Sequence, residues 1–184
     1  LDARRNKLGG ALAESVGRMR MLTSLRLDSN DLSSLPEGLG NLTSLVSLSA
    51  SRNALVRLPD SIGDCKSLRH LDVCRNKLMR LPESLFAGCA ELEELWARDN
   101  QLVFMPGRPG IPKTIRLAKR LRKLDVGGNR LESIGFDEDG IPAMRSLEIL
   151  SAKDNALQRV GRALGRSPTL RETLKELDLT GNRL

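Results

Sequence analysis

Apolar residues recur along the chain at fixed intervals, and one stretch shows the pattern most clearly. From Leu45 onward the apolar positions carry, in order, Leu, Leu, Ala, Leu, Leu and Ile, and Asn53 lies between the Ala and the third Leu. The same spacing of apolar positions occurs before and after this stretch, and each shift is 23 residues, from Asn30 to Asn53 to Asn76. A fixed period of this length predicts a solenoid in which every coil adds one layer to a continuous core.

One position of this period is always an asparagine. The series is Asn6, Asn30, Asn53, Asn76, Asn100, Asn129, Asn155 and Asn182. A side-chain amide both donates and accepts hydrogen bonds, so inside a stack it can satisfy backbone groups of its own coil and of the neighbouring coil. A buried backbone group left without a partner costs about 1–3 kcal/mol. These asparagines are therefore predicted to be structural rather than catalytic.

The full pattern, LxxLxLxxNxL followed by a variable half, resembles that of leucine-rich repeat proteins. The LPxx(L/I) continuation resembles the intracellular Ras-group and scaffold members. This resemblance implies a right-handed, curved α/β solenoid of about eight repeats, with parallel strands on the concave face and extended or short helical arms on the convex face. Residues 1–184 are expected to form a single domain, and the lack of polar caps at both ends predicts an excerpt of a longer chain.

Three coils are longer than the others, and their insertions are expected to lie on one side of the solenoid. The step from Asn100 to the next asparagine of the series is 29 residues, and the two following steps are 26 and 27 residues. The first insertion is predicted to be helical from about Thr114, with an apolar face formed by Ile115, Ala118 and Leu121. The third insertion, over 162–174, also has a helical pattern.

The first insertion is strongly basic. Its cations have no acid among them, and they are Arg108, Lys113, Arg116, Lys119, Arg120, Arg122 and Lys123. One interpretation is a solvated face that Asp137, Glu138 and Asp139 of the next insertion partly neutralise. The other is a docking surface for an anionic partner, such as RNA, an acidic protein or a tubulin-like lattice. In that case the contacts are expected from Arg116, Lys119 and Arg120.

Side chains alternate along a strand, so the residues that flank each central leucine are expected on the concave face. This face carries charges of both signs and one aromatic residue. Its N-terminal rim is the more basic end, with Arg4, Arg5, Lys7 and Arg26. A nucleic-acid groove would carry one sign of charge and stacking aromatic residues. The pattern therefore favours a protein partner over nucleic acid.

Trp96 is the predicted centre of partner binding. It is the only tryptophan, and Trp and Arg are the residues most often found as interface hot spots. The alternative is that Trp96 merely covers the stems of neighbouring side chains. The other residues predicted to contact the partner are His70 and four residues expected to surround Trp96, namely Asp72, Arg75, Arg98 and Asp125.

Chemistry-bearing residues are few. Ser47, His70 and Glu94 fall at one position of three adjacent strands and imitate a catalytic triad, but flat parallel side chains supply neither an oxyanion hole nor a pocket. The sequence has no phosphate-loop or dinucleotide motif, and its cysteines and single histidine do not have metal-site spacing. We therefore expect no enzyme activity, cofactor, metal or small-molecule substrate.

The cysteines bear on the compartment. Cys65 and Cys89 each lie three residues before a repeat-opening leucine, where other coils carry Met, Leu or Ala, so both are predicted to be buried thiols. A disulfide between them is an alternative that adjacent layers could permit. Extracellular members of the family usually carry Cys-rich caps, and none is seen, which predicts a reduced, cytoplasmic protein. No apolar run approaches the roughly 20 residues that cross a bilayer.

The resemblance implies a non-catalytic protein-binding module or scaffold that uses the concave face around Trp96. A second hypothesis is a structural subunit of a large cytoskeletal or ribonucleoprotein assembly. It would dock through the basic insertion on the convex face, and this insertion together with the missing end caps favours it.

Overall fold

A computed structural model describes residues 1–105, 108–134, 144–158 and 168–184. The described strands are β1 (Gly9–Ala11), β2 (Ser24–Arg26), β3 (Asp31–Ser34), β4 (Ser47–Ser49), β5 (His70–Asp72), β6 (Glu94–Trp96), β7 (Phe104–Met105), β8 (Arg108–Pro109), β9 (Lys123–Asp125), β10 (Ile149–Ser151) and β11 (Glu176–Asp178). The helices are the 3-10 turns η1 (Glu14–Arg18), η2 (Glu37–Asn41), η3 (Asp60–Asp64) and η4 (Lys113–Leu117), with α1 (Glu83–Gly88) and α2 (Pro168–Thr173).

Each coil after the first contributes one three-residue strand to a parallel sheet. Among the described residues this sheet has seven strands in the order β2, β4, β5, β6, β9, β10, β11. The register places the central leucine of each strand beside that of the next, as Leu48 beside Leu71 and Leu71 beside Leu95. An isolated bridge between Asp2 and Arg26 continues the same pairing at the N-terminal side. The predicted α/β leucine-repeat solenoid is confirmed.

The core is a set of leucine columns that run through the stack. The central leucines Leu25, Leu48, Leu71, Leu95, Leu124 and Leu150 are all buried, whereas the first and third residues of most of these strands are half-buried on the opposite side. Burying a leucine side chain contributes about 1.5–3 kcal/mol. The last strand differs, because Leu177 of β11 is 43% exposed.

The asparagine ladder joins each coil to the one before it, as predicted. Asn76 donates from its Nδ2 to the Val73 carbonyl of its own coil at 3.1 Å and to the Ala50 carbonyl of the preceding coil at 3.0 Å. Its Oδ1 accepts the Leu55 N–H at 2.9 Å. The pattern of own-coil and preceding-coil bonds repeats at Asn30, Asn53, Asn100, Asn129, Asn155 and Asn182. Asn6 is exposed and bonds only within its own coil.

The residue before each asparagine adopts the left-handed conformation, which the sequence pattern did not predict. The φ values are 55° at Arg5, 57° at Ser29, 55° at Arg52, 54° at Arg75, 55° at Asp99 and 52° at Asp154, with Gly128 and Gly181 at the same position. A side chain in this region costs about 1–2 kcal/mol. The turn is retained because the N–H of this residue donates to a carbonyl of the next coil, as Arg52 does to Cys74 at 2.9 Å.

The returning arms are single helical turns, as expected. Pro36, Pro59, Pro82 and Pro112 stand immediately before η2, η3, α1 and η4. Proline fixes φ near −65°, which suits the extended residue at a helix start. The arms of adjacent coils pack so closely that a Cβ on Gly63 would lie 2.6 Å from the Ser84 carbonyl oxygen. Only glycine fits at that contact without displacing backbone.

The first insertion agrees with prediction at its apolar face but not in helix length. Ile115, Ala118 and Leu121 are buried, yet the helix covers only Lys113–Leu117, because Leu121 already opens the next coil. The segment before it pairs β7 with β8 in an antiparallel ribbon. Asp137, Glu138 and Asp139 lie outside the described residues, and of the third insertion only the part from Pro168 is described, where α2 is helical as predicted.

Candidate protein-binding face

The side of the sheet opposite the leucine core is here called the outer face. It consists of the first and third residue of each strand, because alternate side chains of a strand point to opposite faces. The third residues of the strands lie in register and form one row of this face. This row consists of Arg26, Ser49, Asp72, Trp96, Asp125, Ser151 and Asp178. Because the backbone of every strand is hydrogen-bonded within the sheet, the Cα positions of this row are fixed. The side chains that the row carries differ from coil to coil.

Trp96 lies on the outer face near the middle of the sheet. It is half-buried, whereas its neighbour Leu95 is fully buried on the core side. The register sets Asp72 on one side of Trp96 and Asp125 on the other. Asp72 accepts the Cys74 N–H at 2.9 Å, and Asp125 accepts an N–H two residues on at the same distance. Two carboxylates of fixed orientation therefore flank one indole, as the sequence predicted for this trio.

The two predicted arginines converge on an aspartate rather than on Trp96. Arg75 Nε lies 3.3 Å from Asp99 Oδ2, and Arg98 Nε lies 3.5 Å from Asp99 Oδ1. The Arg98 contact is an ion pair without hydrogen-bond geometry, since Arg98 Nε has no hydrogen-bond partner. Arg75 belongs to the left-handed turn beyond the strand. The predicted residues thus divide into a central trio and an arginine pair just beyond the C-terminal ends of β5 and β6.

His70 lies in the row formed by the first residues of the strands, two residues before the row that contains Trp96. His70 Nδ1 lies 3.1 Å from Glu94 Oε2, and Lys123 Nζ lies 3.1 Å from Glu94 Oε1. Ser47 is in register with His70, but no hydrogen bond joins them. The serine of the apparent triad is therefore not activated, and the row is joined across three strands by the His70–Glu94 hydrogen bond and the Lys123–Glu94 ion pair.

The basic insertion is more neutral in space than in sequence. Arg120 forms an ion pair with Glu91, and Arg122 Nη2 lies 2.8 Å from Glu148 Oε1. The hydrogen bond from Lys175, followed by that from Arg122, lowers the pKa of Glu148. These acids come from neighbouring coils, so the linear sequence did not reveal them. Of the three predicted anion contacts, Arg116 and Lys119 are exposed and make no ion pair within the described residues.

The structure also shows a cleft at the N-terminal side that was only partly predicted. Its volume is about 560 Å³, and it is lined by Arg4, Arg5, Asp28, Ser29, Ser51 and Arg52. The basic N-terminal rim of the sequence contains two of these arginines. The sequence feature that could have identified Arg52 is its position in the repeat, because Arg52, like Arg5, directly precedes the asparagine of its coil.

The described residues contain no helix long and apolar enough to pass through a membrane. Among the same residues, no group of three or more His, Cys, Asp and Glu side chains is arranged to hold a metal ion.

Comparison with known proteins agrees with this architecture. The family model for the leucine-rich repeat matches residues 21–42 and 67–89. An internalin (InlF) from Listeria monocytogenes aligns over 94% of this chain with a TM-score of 0.73 at 22% identity. TLR13 in complex with ssRNA13 aligns over 99% with a TM-score of 0.79 at 24% identity. At these identities both likenesses show the fold alone.

A plant peptide hormone receptor, RGFR1 in complex with RGF2, aligns over 99% of this chain with a TM-score of 0.69 at 26% identity. No curated protein sequence matches the chain. The chain spans 45% of the internalin, 25% of TLR13 and 32% of RGFR1, so it corresponds to part of each of them. The leucine columns, the asparagine ladder and the two matched repeat units agree: the chain contains leucine-rich repeats and has the leucine-rich repeat fold.

Proposed function

We propose that this chain is a non-catalytic interaction module that binds a partner protein on the outer face of its sheet, the expected concave face, around Trp96. The observation that carries the proposal is the half-buried Trp96 between two oriented carboxylates at the middle of the sheet. Tryptophan at the centre of an interface is a frequent hot spot. A rigid scaffold also reduces the entropy lost on binding.

The charges around Trp96 support a protein partner. Asp72 and Asp125 lie beside it, and Arg98 follows it two residues later in the chain. Mixed signs at close range favour a partner with its own mixed surface, since complementary charges set specificity and suppress wrong partners. The likeness to RGFR1, whose structure contains RGF2, supports a polypeptide ligand. The three cysteines are free thiols, of which Cys65 and Cys89 are buried, and this supports the reducing, cytoplasmic location that we also propose.

The proposal is tested by combining Trp96→Ala with Arg98→Glu. The partner is first identified by affinity purification from the native source with mass spectrometry, then expressed and titrated by calorimetry. We expect the double variant to lose measurable binding while its circular dichroism spectrum is unchanged, because both side chains lie outside the leucine core.

A matched control carries Leu117→Ala with Lys119→Glu. It removes an exposed apolar side chain, 44% exposed at Leu117, and reverses one cation, but on the insertion. This control should bind like the wild type. Equal binding by the Trp96 variant and the wild type would contradict the proposal.

The assembly hypothesis remains a second proposal because Arg116 and Lys119 are exposed cations without an ion pair in the described part of the chain. In this case Lys119→Glu with Arg120→Glu would abolish partner binding, and binding of the wild type would fall steeply with salt. Loss in this variant with full binding by the Trp96 variant would favour the assembly role over the module role.

A further inference from the structure

The cleft at the N-terminal side has the features of an anion site. Arg5, Ser29 and Arg52 occupy the same position of three successive coils, and all three have left-handed φ values of 55°, 57° and 55°. Identical backbone geometry directs their Cβ atoms alike. Successive coils are about 4.8 Å apart, so the two arginines stand two spacings apart with the serine between them. Two long cationic side chains thus border one hydroxyl.

The positive charges of Arg5 and Arg52 are not balanced by an ion pair in the described part of the chain. Arg5 and Arg52 are exposed, and within the described residues neither makes an ion pair. The third arginine of the lining is different, because Arg4 is held by Asp2 through Nε at 3.0 Å and Nη2 at 2.8 Å. Arg4 can still shape the cleft, but its charge is already balanced.

Asp28 is the acidic residue of the lining. Its Oδ1 accepts hydrogen bonds from the Ser51 N–H at 3.0 Å, from the Ser51 hydroxyl at 2.8 Å and from the Ser49 hydroxyl. The carboxylate is half-buried and occupied by these donors, which leaves it without an arginine partner. It therefore lowers the positive charge of the cleft without blocking the two guanidinium groups.

A second cleft also contains two cationic side chains, but there an acidic side chain neutralises both. Its volume is about 350 Å³, and its lining includes Arg122, Glu148 and Lys175. There Glu148 holds both cations, Arg122 Nη2 and Lys175 Nζ, each at 2.8 Å. In the N-terminal cleft the acid of the lining, Asp28, forms no ion pair with Arg5 or Arg52.

We propose that the N-terminal cleft binds a phosphate monoester, namely a phosphorylated serine or threonine side chain of a protein partner. A phosphorylated side chain carries a charge of about −1.5 to −2 at neutral pH and three acceptor oxygens. Two guanidinium groups can bind these oxygens through charge-assisted, bidentate hydrogen bonds, and the Ser29 hydroxyl lies between them as a further donor.

The same turn position argues for one phosphate rather than a polynucleotide. Its charge reverses along the solenoid, from Arg5, Arg52 and Arg75 to Asp99 and Asp154. A polynucleotide needs a continuous basic track and stacking aromatic residues, and the cleft lining contains no aromatic side chain. The basic stretch is therefore local, as a single phosphate group requires.

The test uses a dye-labelled ten-residue peptide of Gly, Ala and Ser with one phosphoserine, titrated by fluorescence anisotropy at low ionic strength. The unphosphorylated peptide is the matched ligand control. The phosphorylated peptide should bind, its control should not, and both O-phosphoserine and inorganic phosphate should compete. Arg5→Gln with Arg52→Gln should weaken binding by about tenfold per arginine, the loss expected for a hydrogen bond to a charged group.

A matched charge control is Arg57→Gln with Arg80→Gln, which removes two exposed arginines that have no assigned binding role and should keep wild-type affinity. Asp28→Asn should tighten binding, because it removes the like charge but retains an acceptor for Ser51. Trp96→Ala should bind the phosphopeptide normally, so this test stands or falls separately from the proposed function.

Three results would overturn the proposal. The first is equal affinity for the phosphorylated and unphosphorylated peptides. The second is wild-type affinity in the Arg5→Gln, Arg52→Gln variant, or equal loss in the Arg57, Arg80 control. The third is tighter binding of a single-stranded RNA decamer than of the phosphopeptide, with the same dependence on Arg5 and Arg52, which would assign the cleft to nucleic acid. Thermal unfolding of each variant confirms that it is folded.

Discussion

The interior of the solenoid and the outer face of its sheet are built from the same strands, yet they differ in how far they vary from coil to coil. On the core side the central residue is leucine in β2, β4, β5, β6, β9, β10 and β11. On the outer face the adjacent position changes from Arg26 to Ser49, Asp72, Trp96 and Asp125. The constant side holds the coils together, and the variable side is free to carry recognition.

This difference explains why a mutation one residue along a strand should have a different kind of effect. A substitution on the core side removes a contact with the coils before and after it, so the loss appears in stability. A substitution on the outer face removes a group that the neighbouring coils do not need, so the loss should appear in binding. The following variants test this division, each with a matched control from the same chain.

The largest expected effect is that of Leu71→Ala at the middle of the core. Leu71 is fully buried, and a cavity from a buried leucine costs about 2–5 kcal/mol. Leu177→Ala is the control, because Leu177 holds the same position in β11 but is 43% exposed. Urea unfolding followed by circular dichroism should show a clearly smaller loss for the control. Equal losses would mean that the coils do not share one core.

Asn76→Ala should come next. The Leu55 N–H, which is buried, donates to Asn76 Oδ1, and the variant leaves that group without an acceptor at a cost of about 1–3 kcal/mol. The control is Asn6→Ala, since Asn6 is exposed and bonds only within its own coil. Unfolding free energies of the two variants should differ by most of that amount. A harmless Asn76→Ala would contradict the ladder as the link between coils.

Gly63→Ala tests the packing of the arms. The added Cβ would lie 2.6 Å from the Ser84 carbonyl oxygen, and overpacking of this kind costs about 1–3 kcal/mol. Part of that is offset, since alanine lowers the entropy of the unfolded chain by about 0.4–1 kcal/mol. Gly9→Ala is the control, because a Cβ there meets nothing within 4 Å. Thermal unfolding should show a lower Tm for Gly63→Ala alone.

The smallest expected effect concerns thiol reactivity. Burial raises the pKa of Cys65 to about 11 and that of Cys89 to about 12. Burial, with a further contribution from Asp72, raises the pKa of Cys74 to about 12. At pH 8 the folded protein should therefore react with iodoacetamide far more slowly than the urea-unfolded chain, as measured by mass spectrometry. Rapid modification of Cys65 or Cys89 in the folded state would show that the core is open.

The raised pKa values of the three cysteines predict that the free energy of unfolding falls at high pH. Their pKa values are higher in the folded state than in an unfolded chain, where a thiol titrates near 8.5. Above about pH 9 the unfolded chain loses these protons first, so its free energy falls relative to the folded state as the pH rises toward 11. Below pH 8 the contribution of the protonated thiols to the free energy of unfolding is fully present.

The sequence predicted features that depend on one period. The leucine strands, the buried asparagines such as Asn76 and Asn100, and the buried Cys65 and Cys89 all repeat the same geometry, so one coil predicts the rest. The left-handed turn was not predicted, because Arg, Ser and Asp occupy it as well as glycine, and the cause is a hydrogen bond to the next coil.

The candidate sites were less predictable because they depend on side chains from different coils. Trp96, Asp72 and Asp125 were placed together correctly, since strand register alone brings them side by side. The partners of the insertion, Glu91 and Glu148, are 29 and 26 residues from the arginines they bind. No local pattern indicates such pairs.

The most direct test uses the fact that Trp96 is the only tryptophan. Incorporation of 5-fluorotryptophan gives one ¹⁹F resonance that reports on the centre of the outer face. When the purified partner is titrated to saturation, the proposed function predicts that this resonance shifts and broadens, and that a soluble paramagnetic agent relaxes it less than in the free protein. An unchanged resonance with unchanged paramagnetic relaxation at saturation would contradict the claim that the partner covers Trp96.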